Sequence, residues 1–253
     1  IPKPRTDVPF AEFLQKHQRQ LSPTLRAFAT MLVEGFDAAD PARASAVEIL
    51  KEWGGGSAAD APTFRPQRGY GALMDSLAGS LDPAKTCVQL ECAVNEVRWR
   101  RGEVNVSFVR HGEPGVVRAA RAIITLPLSV LQLPALTPGS VLFTPTLPRK
   151  QAPLSRLLMG PVVKLVLCFS RPFWAEIDNG YHRDVAFLHA QGAPFPTFWT
   201  TLPVRAPVLM AWSGGPKAMR LVSRSTDEVL RPALASVTQI FGKRRDYRKM
   251  LEA

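Results

Sequence analysis

The chain has 253 residues, of which 46% are apolar and 21% charged. These proportions exclude a disordered chain, and a protein of this length can bury a core without a disulfide or a metal to stabilise it. The net charge of +11 is scattered and accompanies no known nucleic-acid-binding motif, so we predict no nucleic-acid partner. No apolar run approaches the roughly 20 residues that a membrane span requires, so we predict no membrane partner.

The first sixty residues predict helices. Ser22-Pro23 is typical of a helix start, with Ser as the N-cap and Pro as the first helical residue, and Gly35 marks the end. Between them, apolar residues recur on one face with a period of 3.6: Leu25, Phe28, Leu32, Val33 and Phe36. A further helix is predicted from Asp40-Pro41 to about Trp53, followed by a flexible connection over residues 54–62.

A helix is predicted from Tyr70 to about Leu81, and β-structure follows it. The strand candidates are Val88–Trp99, Val104–Val109 and Val116–Leu126, separated by glycine-containing turns. Residues 122–126 are apolar at nearly every position, which predicts a strand covered on both faces.

The second half of the chain alternates helices and strands. A Pro-rich stretch at 133–148 leads to a helix near 149–158, and Val162–Phe169 is the strongest strand candidate. Two further strands are predicted at Thr197–Leu202 and Val208–Trp212. The last helix begins with a capping box of Ser225 and Glu228 and runs to about Phe241.

These elements predict an α+β fold: a mixed β-sheet flanked by helices, with a helical N-terminal segment. We divide the chain into a helical entry segment (1–60), a helix with a β-meander (61–132), and a sheet with a C-terminal helix (133–253).

The cysteines and histidines predict no metal site. The three cysteines, Cys87, Cys92 and Cys168, have neither CxxC nor zinc spacing, and the four histidines are far apart in the sequence. Free cysteines fit a reducing compartment, and we therefore predict a cytoplasmic location.

Lys164 is the most informative single residue, because it interrupts an otherwise apolar strand. Burying an ammonium is costly unless it is paired or loses its proton, so a desolvated lysine here would be a candidate functional residue. The alternative is that Lys164 lies on an exposed sheet face or extends to an edge. The residues alone favour neither interpretation.

Aromatic side chains follow this strand and could line an apolar slot for a planar cofactor or substrate. Each could equally be an ordinary core residue. They are Phe169, Phe173, Trp174, Phe187, Phe195, Phe198, Trp199 and Trp212.

Several blocks occur in the order found in the flavin-containing amine oxidases, which include monoamine and polyamine oxidases and flavin-dependent histone demethylases. Residues 122–131, AIITLPLSVL, resemble the family's VIxTxPLxVL segment. Residues 143–150, FTPTLPRK, resemble FxPxLPxxK, and 160–174, GPVVKLVLCFSRPFW, resemble GxVxKxxLxFxxPFW. A GYGAL helix start at 69–73 and a strand at 92–97 agree with the same family.

The resemblance implies roles for matched residues. Lys164 matches the lysine that holds a water against flavin N5 and is the implied catalytic residue. Val94 matches a residue whose backbone contacts the adenine end of FAD, Pro127 matches a turn beside the cofactor, and Trp174 matches an aromatic near the flavin.

The implied reaction oxidises the C–N bond of a small-molecule amine to an imine, and O2 then reoxidises the flavin to give H2O2. The chain has no strand–GxGxxG–helix for the FAD pyrophosphate, so a Rossmann-type FAD core is largely absent. We therefore expect FAD in the complete protein, with the missing FAD-binding segments as partners, and expect this chain alone to be inactive and not to retain FAD. The resemblance to this family is also compatible with a homodimer.

Two alternatives stay open. The protein could be a flavin oxidase or desaturase of the same superfamily that acts on C–C bonds, although the GxVxK context of Lys164 favours amines. It could also be a non-catalytic binding module that has lost the flavin.

Overall fold

The computed structural model describes residues 4, 6–54, 64, 66–67 and 69–252. The connection predicted at 54–62 lies outside this part of the chain except for Gly54. The described residues form two compact units. The larger unit contains those up to Gly54 and from Gly160 onward, and the smaller unit contains those from Phe64 to Met159.

Helices and strands are interspersed along both units. The helices are α1 (Phe10–Lys16), α2 (Pro23–Gly35), α3 (Ala46–Gly54), α4 (Gly71–Gly79), α5 (Leu128–Leu131), α6 (Pro148–Leu154), α7 (Gly215–Met219) and α8 (Thr226–Phe241). The strands are β1 (Ala93–Arg100), β2 (Glu103–Arg110), β3 (Glu113–Ala119), β4 (Leu142–Thr144), β5 (Val162–Cys168), β6 (Phe187–His189), β7 (Thr197–Trp199) and β8 (Val208–Gly214).

The predicted α+β class is confirmed. The smaller unit contains a mixed sheet in the order β3-β2-β1-β4, in which β4 runs parallel to β1. The larger unit contains an antiparallel sheet in the order β5-β8-β7-β6, flanked by helices. No helix of the described residues is both long and apolar enough to cross a membrane.

The predicted starts of the two long helices are confirmed by their capping bonds. The Ser22 hydroxyl accepts a hydrogen bond from the Leu25 amide at 3.1 Å. At α8 the Ser225 hydroxyl accepts from the Glu228 amide, and the Glu228 carboxylate accepts from the Ser225 amide at 3.0 Å. Such caps satisfy amides that the first helical turn leaves without intrahelical partners.

Two sequence predictions are corrected. The helix predicted from Asp40 begins at Ala46 instead, because the Asp40 side chain accepts from the Ala42 amide and stabilises a turn. The strand predicted to Leu126 ends at Ala119. Residues 121–126 are irregular and Ile123 is 91% exposed, because the described residues offer them no neighbouring strand.

The smaller unit exposes many large apolar side chains. No residue of α4 is buried, and Tyr70 and Leu90 are 70% and 72% exposed. Leu136 is 96% exposed. Exposed apolar surface on this scale is typical of a surface that other polypeptide covers.

One face of the larger unit's sheet forms its core. Leu167, Leu209 and Phe198 point to this face and are each at most 3% exposed. They pack against the buried face of α8, which presents Val229, Ala233 and Val237.

Helix α2 crosses the opposite face, where its end approaches the sheet closely. A Cβ added to Gly214 would lie 2.2 Å from the Glu34 carbonyl oxygen, and one added to Gly160 would lie 2.2 Å from that of Ala38. The Trp212 indole N–H donates to the Gly35 carbonyl at 2.6 Å. A largely buried ion pair joins Lys217 of α7 to Glu34.

Replacement of Gly214 by alanine should therefore destabilise the larger unit. The added methyl group cannot fit beside the Glu34 carbonyl, and overpacking of this kind costs about 1–3 kcal/mol. Urea unfolding of the protein measures the change. Gly35→Ala is the matched control on the helix side of the same contact, because its Cβ would meet Thr197 at an ordinary 3.7 Å. Equal stability of the two variants would contradict the close approach.

The segment after α2 holds an acidic pair that titrates in an unusual range. The pKa of Asp37 is raised from 3.8 to about 6, most strongly by burial, and also by repulsion from the neighbouring Glu52 carboxyl and a hydrogen bond with it. One Asp37 carboxyl oxygen, Oδ2, is buried and has no hydrogen-bond partner in the described residues. The ionised form of Asp37 therefore destabilises the fold.

Stability should fall as pH rises through about 6, since the pKa of Asp37 is higher in the folded than in the unfolded chain. Asp37→Asn should remove this dependence and stabilise the protein above that pH by up to about 1 kcal/mol, a figure reduced for partial solvent exposure. The free energies of unfolding of the unmodified protein and of Asp37→Asn, measured at about pH 5 and about pH 8, test this prediction. Glu52→Gln should have a smaller effect, because burial, the largest cause, remains. An unchanged pH dependence in Asp37→Asn would disprove the assignment.

Candidate active site

Strand alternation divides the residues of the larger sheet between its core face and an open face. Lys164 lies on the open face, and the strand register places it opposite Trp212, which in turn lies opposite Thr197, with His189 next on β6. A second row parallel to the first consists of Val166, Met210, Trp199 and Phe187. The open face therefore carries a lysine at one end, a histidine at the other and aromatic side chains between them.

Lys164 is exposed on β5, an edge strand. Its ammonium Nζ lies 5.6 Å from the centroid of the Trp199 ring, a distance at which a cation is attracted to an aromatic face. Within the described part of the chain, no carboxylate pairs with Lys164. Of the two interpretations that the residues left open, the described part of the chain favours the exposed sheet face. The predicted role of Lys164 toward a flavin stays a prediction.

A cavity of about 480 Å³ lies between α2 and the open face. Its lining is apolar and aromatic except for Thr197 and His189. The lining residues are Met31, Leu32, Gly35, Phe36, Phe187, His189, Thr197, Trp199 and Trp212. A concave apolar site with few polar groups is typical of small-molecule binding.

The cavity walls are fixed by contacts between α2 and the sheet. The Trp199 and Trp212 rings lie 5.8 Å apart at 53°, and the indole N–H of Trp212 is held by the Gly35 carbonyl. Phe28 of α2 meets His189 edge to face at 6.0 Å. These contacts set the separation between helix and sheet that leaves room for a ligand.

His189 is the titratable residue in the lining of this cavity. Partial burial lowers the pKa of its imidazole below the ordinary value of 6.5, so the ring is neutral at pH 7. The Nδ1 atom lies 3.4 Å from the Thr197 hydroxyl. A neutral imidazole can donate and accept hydrogen bonds but supplies no charge.

The aromatic residues noted in the sequence separate between the two faces. Phe187, Trp199 and Trp212 line the cavity, and the others belong to the core cluster. Trp174 is 3% exposed in this core, with its ring 5.2 Å from that of Phe173. Its predicted contact with a flavin stays a prediction.

Val94 and Pro127 belong to the smaller unit. Val94 pairs with Phe108 on β2, next to a register shift between Val94 and Glu96. Strand β4 pairs only with Glu96–Arg98, so in the described sheet Val94 has a neighbouring strand on one side only. Pro127 is exposed and is the N-cap of α5, where its carbonyl accepts from the Val130 and Leu131 amides.

The sequence analysis did not identify His189, Met31 or Phe36 as parts of a site. The sequence does contain a signal for the cavity residues of the sheet. Strand alternation places Thr197 and Trp199 on one face and Phe198, between them, on the other. No comparable signal marks α2, since the apolar face that packs and the face that lines the cavity are adjacent. Among the described residues no cluster of His, Cys, Asp and Glu could hold a metal ion.

Comparison with known proteins identifies lysine-specific histone demethylases among the relatives of this chain. The chain is 30% identical over 186 residues to a possible lysine-specific histone demethylase 1 of Drosophila melanogaster, covering 70% of this chain and 20% of that protein. It is 32% identical over 108 residues to a lysine-specific histone demethylase 1B homolog of Caenorhabditis elegans, covering 42% of this chain and 12% of that protein. The chain thus spans a fifth or less of these relatives' lengths.

Solved structures show the same fold. A putrescine oxidase bound to putrescine superposes with a TM-score of 0.70 at 20% identity, covering 93% of this chain and 50% of that one. Cyclohexylamine oxidase from Brevibacterium oxydans superposes with a TM-score of 0.63 at 18% identity, covering 93% of this chain and 50% of that one. The model of the flavin containing amine oxidoreductase family matches residues 3–252. The chain therefore belongs to the family of flavin-containing amine oxidoreductases.

Proposed function

We propose that this chain is the substrate-side portion of an FAD-dependent amine oxidase that converts an amine and O2 to an imine and H2O2. The observation that carries this proposal is Lys164, which stands on the open face of the sheet beside an aromatic cavity, in the family's GxVxK context. The fold and the family membership agree with it.

In the proposed reaction, the carbon next to the nitrogen loses a hydride equivalent and becomes the carbon of a C=N bond. Bound FAD would supply the acceptor for that hydride equivalent and would be reoxidised by O2, which takes up two electrons and two protons to give H2O2. Water then hydrolyses the imine to a carbonyl compound and a free amine. The protein must bind the amine as its neutral form, because the ammonium has no lone pair to support loss of hydride.

The residues of this chain fit such a substrate. The aromatic walls formed by Trp199 and Trp212 are apolar, and an apolar environment disfavours a charged ammonium. Lys164 is a hydrogen-bond donor beside Trp199 of the cavity lining, and we propose that it holds a water beside the flavin ring. A fixed donor there stabilises negative charge that develops during the redox step.

The smaller unit supplies the proposed cofactor wall. The side of β1 at Val94 that has no neighbouring strand in the described sheet leaves backbone groups free to contact the adenine end of FAD. The turn at Pro127 is exposed and could lie along the cofactor. Trp174, matched in sequence to an aromatic near the flavin, completes the proposed set.

Further polypeptide is the proposed partner of this chain. The apolar side chains that the smaller unit exposes, such as Ile123 and Leu136, are suited to packing against the FAD-binding segments. Small-molecule amine and O2 are the other partners that we propose, without nucleic acid or membrane, in a cytoplasmic enzyme.

The names of the relatives favour a second substrate. Both are described as lysine-specific histone demethylases, so a methylated lysine side chain on a peptide is the alternative to a free amine. A free amine and a methylated lysine are each oxidised at a C–N bond. Peroxide release from free amines and from a methylated-lysine peptide, measured side by side with the complete protein, separates the two. Activity only on substrates without nitrogen would favour a C–C oxidase and disprove the proposal.

Lys164→Met in the complete protein should lower kcat/KM for amine oxidation by about 100-fold, because it removes a preorganised donor beside the reacting centre. Stopped-flow absorbance in the visible flavin bands measures reduction by the amine and reoxidation by O2 separately. Lys51→Met is the matched control, since Lys51 is 68% exposed and pairs only with Glu48 on its own helix. Equal activities of the two variants would remove Lys164 from the proposed site.

The 253-residue chain alone should be purified without bound flavin. It lacks a GxGxxG helix start to hold the pyrophosphate, and binding through Val94 and Pro127 alone is too limited to retain FAD. Visible absorbance after gel filtration in excess FAD measures retention. A yellow chain with one flavin per molecule would overturn this expectation.

A further inference from the structure

We propose that the cavity of the larger unit selects amines with a single amino group on an apolar body, and that His189 sets this preference by meeting the end of the substrate remote from the reacting carbon. This inference rests on the proposed function and specifies its substrate class.

The described lining of the cavity contains no acidic residue. Two carboxylates on or after α2 are otherwise engaged: Glu34 pairs with Lys217, and Asp37 shares a hydrogen bond with Glu52. Lys164 adds a positive charge beside Trp199, a lining residue. The remote ammonium of a diamine would meet no counter-charge from these residues, and an ammonium that loses water without a counter-charge is strongly unfavourable.

The two ends of the site are far apart. Lys164 and His189 lie on the outer strands, three strand spacings apart, and each spacing is about 4.8 Å, or about 14 Å in all. A substrate oxidised beside Lys164 therefore extends along Trp212 and Thr197 and reaches His189 with its tail. His189 contacts the part of the substrate that distinguishes a monoamine from a diamine.

His189 does not supply the missing negative charge. Its imidazole is held neutral by partial burial and lies next to the Thr197 hydroxyl. It can accept a hydrogen bond from an uncharged polar group but cannot neutralise an ammonium. A carboxylate at this position would supply that charge, so the preference should change with one substitution.

The test uses the complete, flavin-loaded protein and matched pairs of equal chain length: octylamine with octamethylenediamine, and decylamine with decamethylenediamine. The unmodified protein should favour each monoamine in kcat/KM by about tenfold or more. His189→Glu should lower KM for the diamines by about tenfold while kcat changes little, because the new charge pairs with the remote ammonium and not with the reacting carbon.

Two further variants control this experiment. Gln191→Glu adds the same charge on an exposed residue outside the cavity lining and should leave the ratio of monoamine to diamine unchanged. Phe187→Glu adds it from the same strand and face, where Phe187 is 58% exposed, and should shift the ratio as His189→Glu does. Two independent positions keep the test valid if one variant fails to fold.

Calorimetry of the same amines, with the flavin chemically reduced beforehand and O2 excluded, measures binding without oxidation of the amine and separates the two proposals. Tighter binding of monoamines without peroxide from any amine would refute the proposed function and uphold the charge preference of the cavity. Peroxide from diamines at least as fast as from monoamines would overturn the preference. An equal shift in His189→Glu and Gln191→Glu would exclude His189 as the residue that sets it.

Discussion

The close approach of α2 to the strand end at Gly214 is the constraint on which the larger unit depends. Glycine is required there because the Glu34 carbonyl occupies the position that any Cβ would take. The Trp212 indole N–H bonds the last helical carbonyl, of Gly35, and the Lys217–Glu34 ion pair closes the same junction. Helix α2 is therefore held at a fixed distance from the open face of the sheet, and that distance determines the size of the cavity between them.

The two faces of the sheet follow from this arrangement and from strand alternation. Residues such as Phe198 and Leu209 are fully buried against α8, so this face supplies the apolar core of the unit. The other face is free to carry residues chosen for binding, since its side chains contribute less to stability. Trp199 and Trp212 can line a cavity for this reason, and Lys164 can occupy an otherwise apolar strand without an ion-pair partner in the described residues.

Local signals in the sequence predicted the helix starts at Ser22 and Ser225 and the strand around Lys164, because caps and apolar runs act over a few residues. The prediction that a strand continues through residues 121–126 was wrong. These residues have the apolar pattern of a strand covered on both faces, but the described part of the chain supplies no surface that covers them. Lys164 was identified by its contrast with its neighbours, but its exposure depends on which strand lies at the sheet edge. His189 was missed because only the pairing of β6 with β7 brings it beside Thr197.

The exposure of Lys164 agrees with a role toward a bound cofactor better than burial within this chain would. A lysine packed under the chain's own side chains could not reach a separate planar ring, whereas one on an open face can. Its neighbours on that face, Val162 and Val166, are 37% and 56% exposed, and leaving apolar side chains in water forgoes the free energy of burying them. A flat apolar ring laid against this strand would cover both valines and bring its edge to the ammonium, so that one contact serves stability and chemistry together.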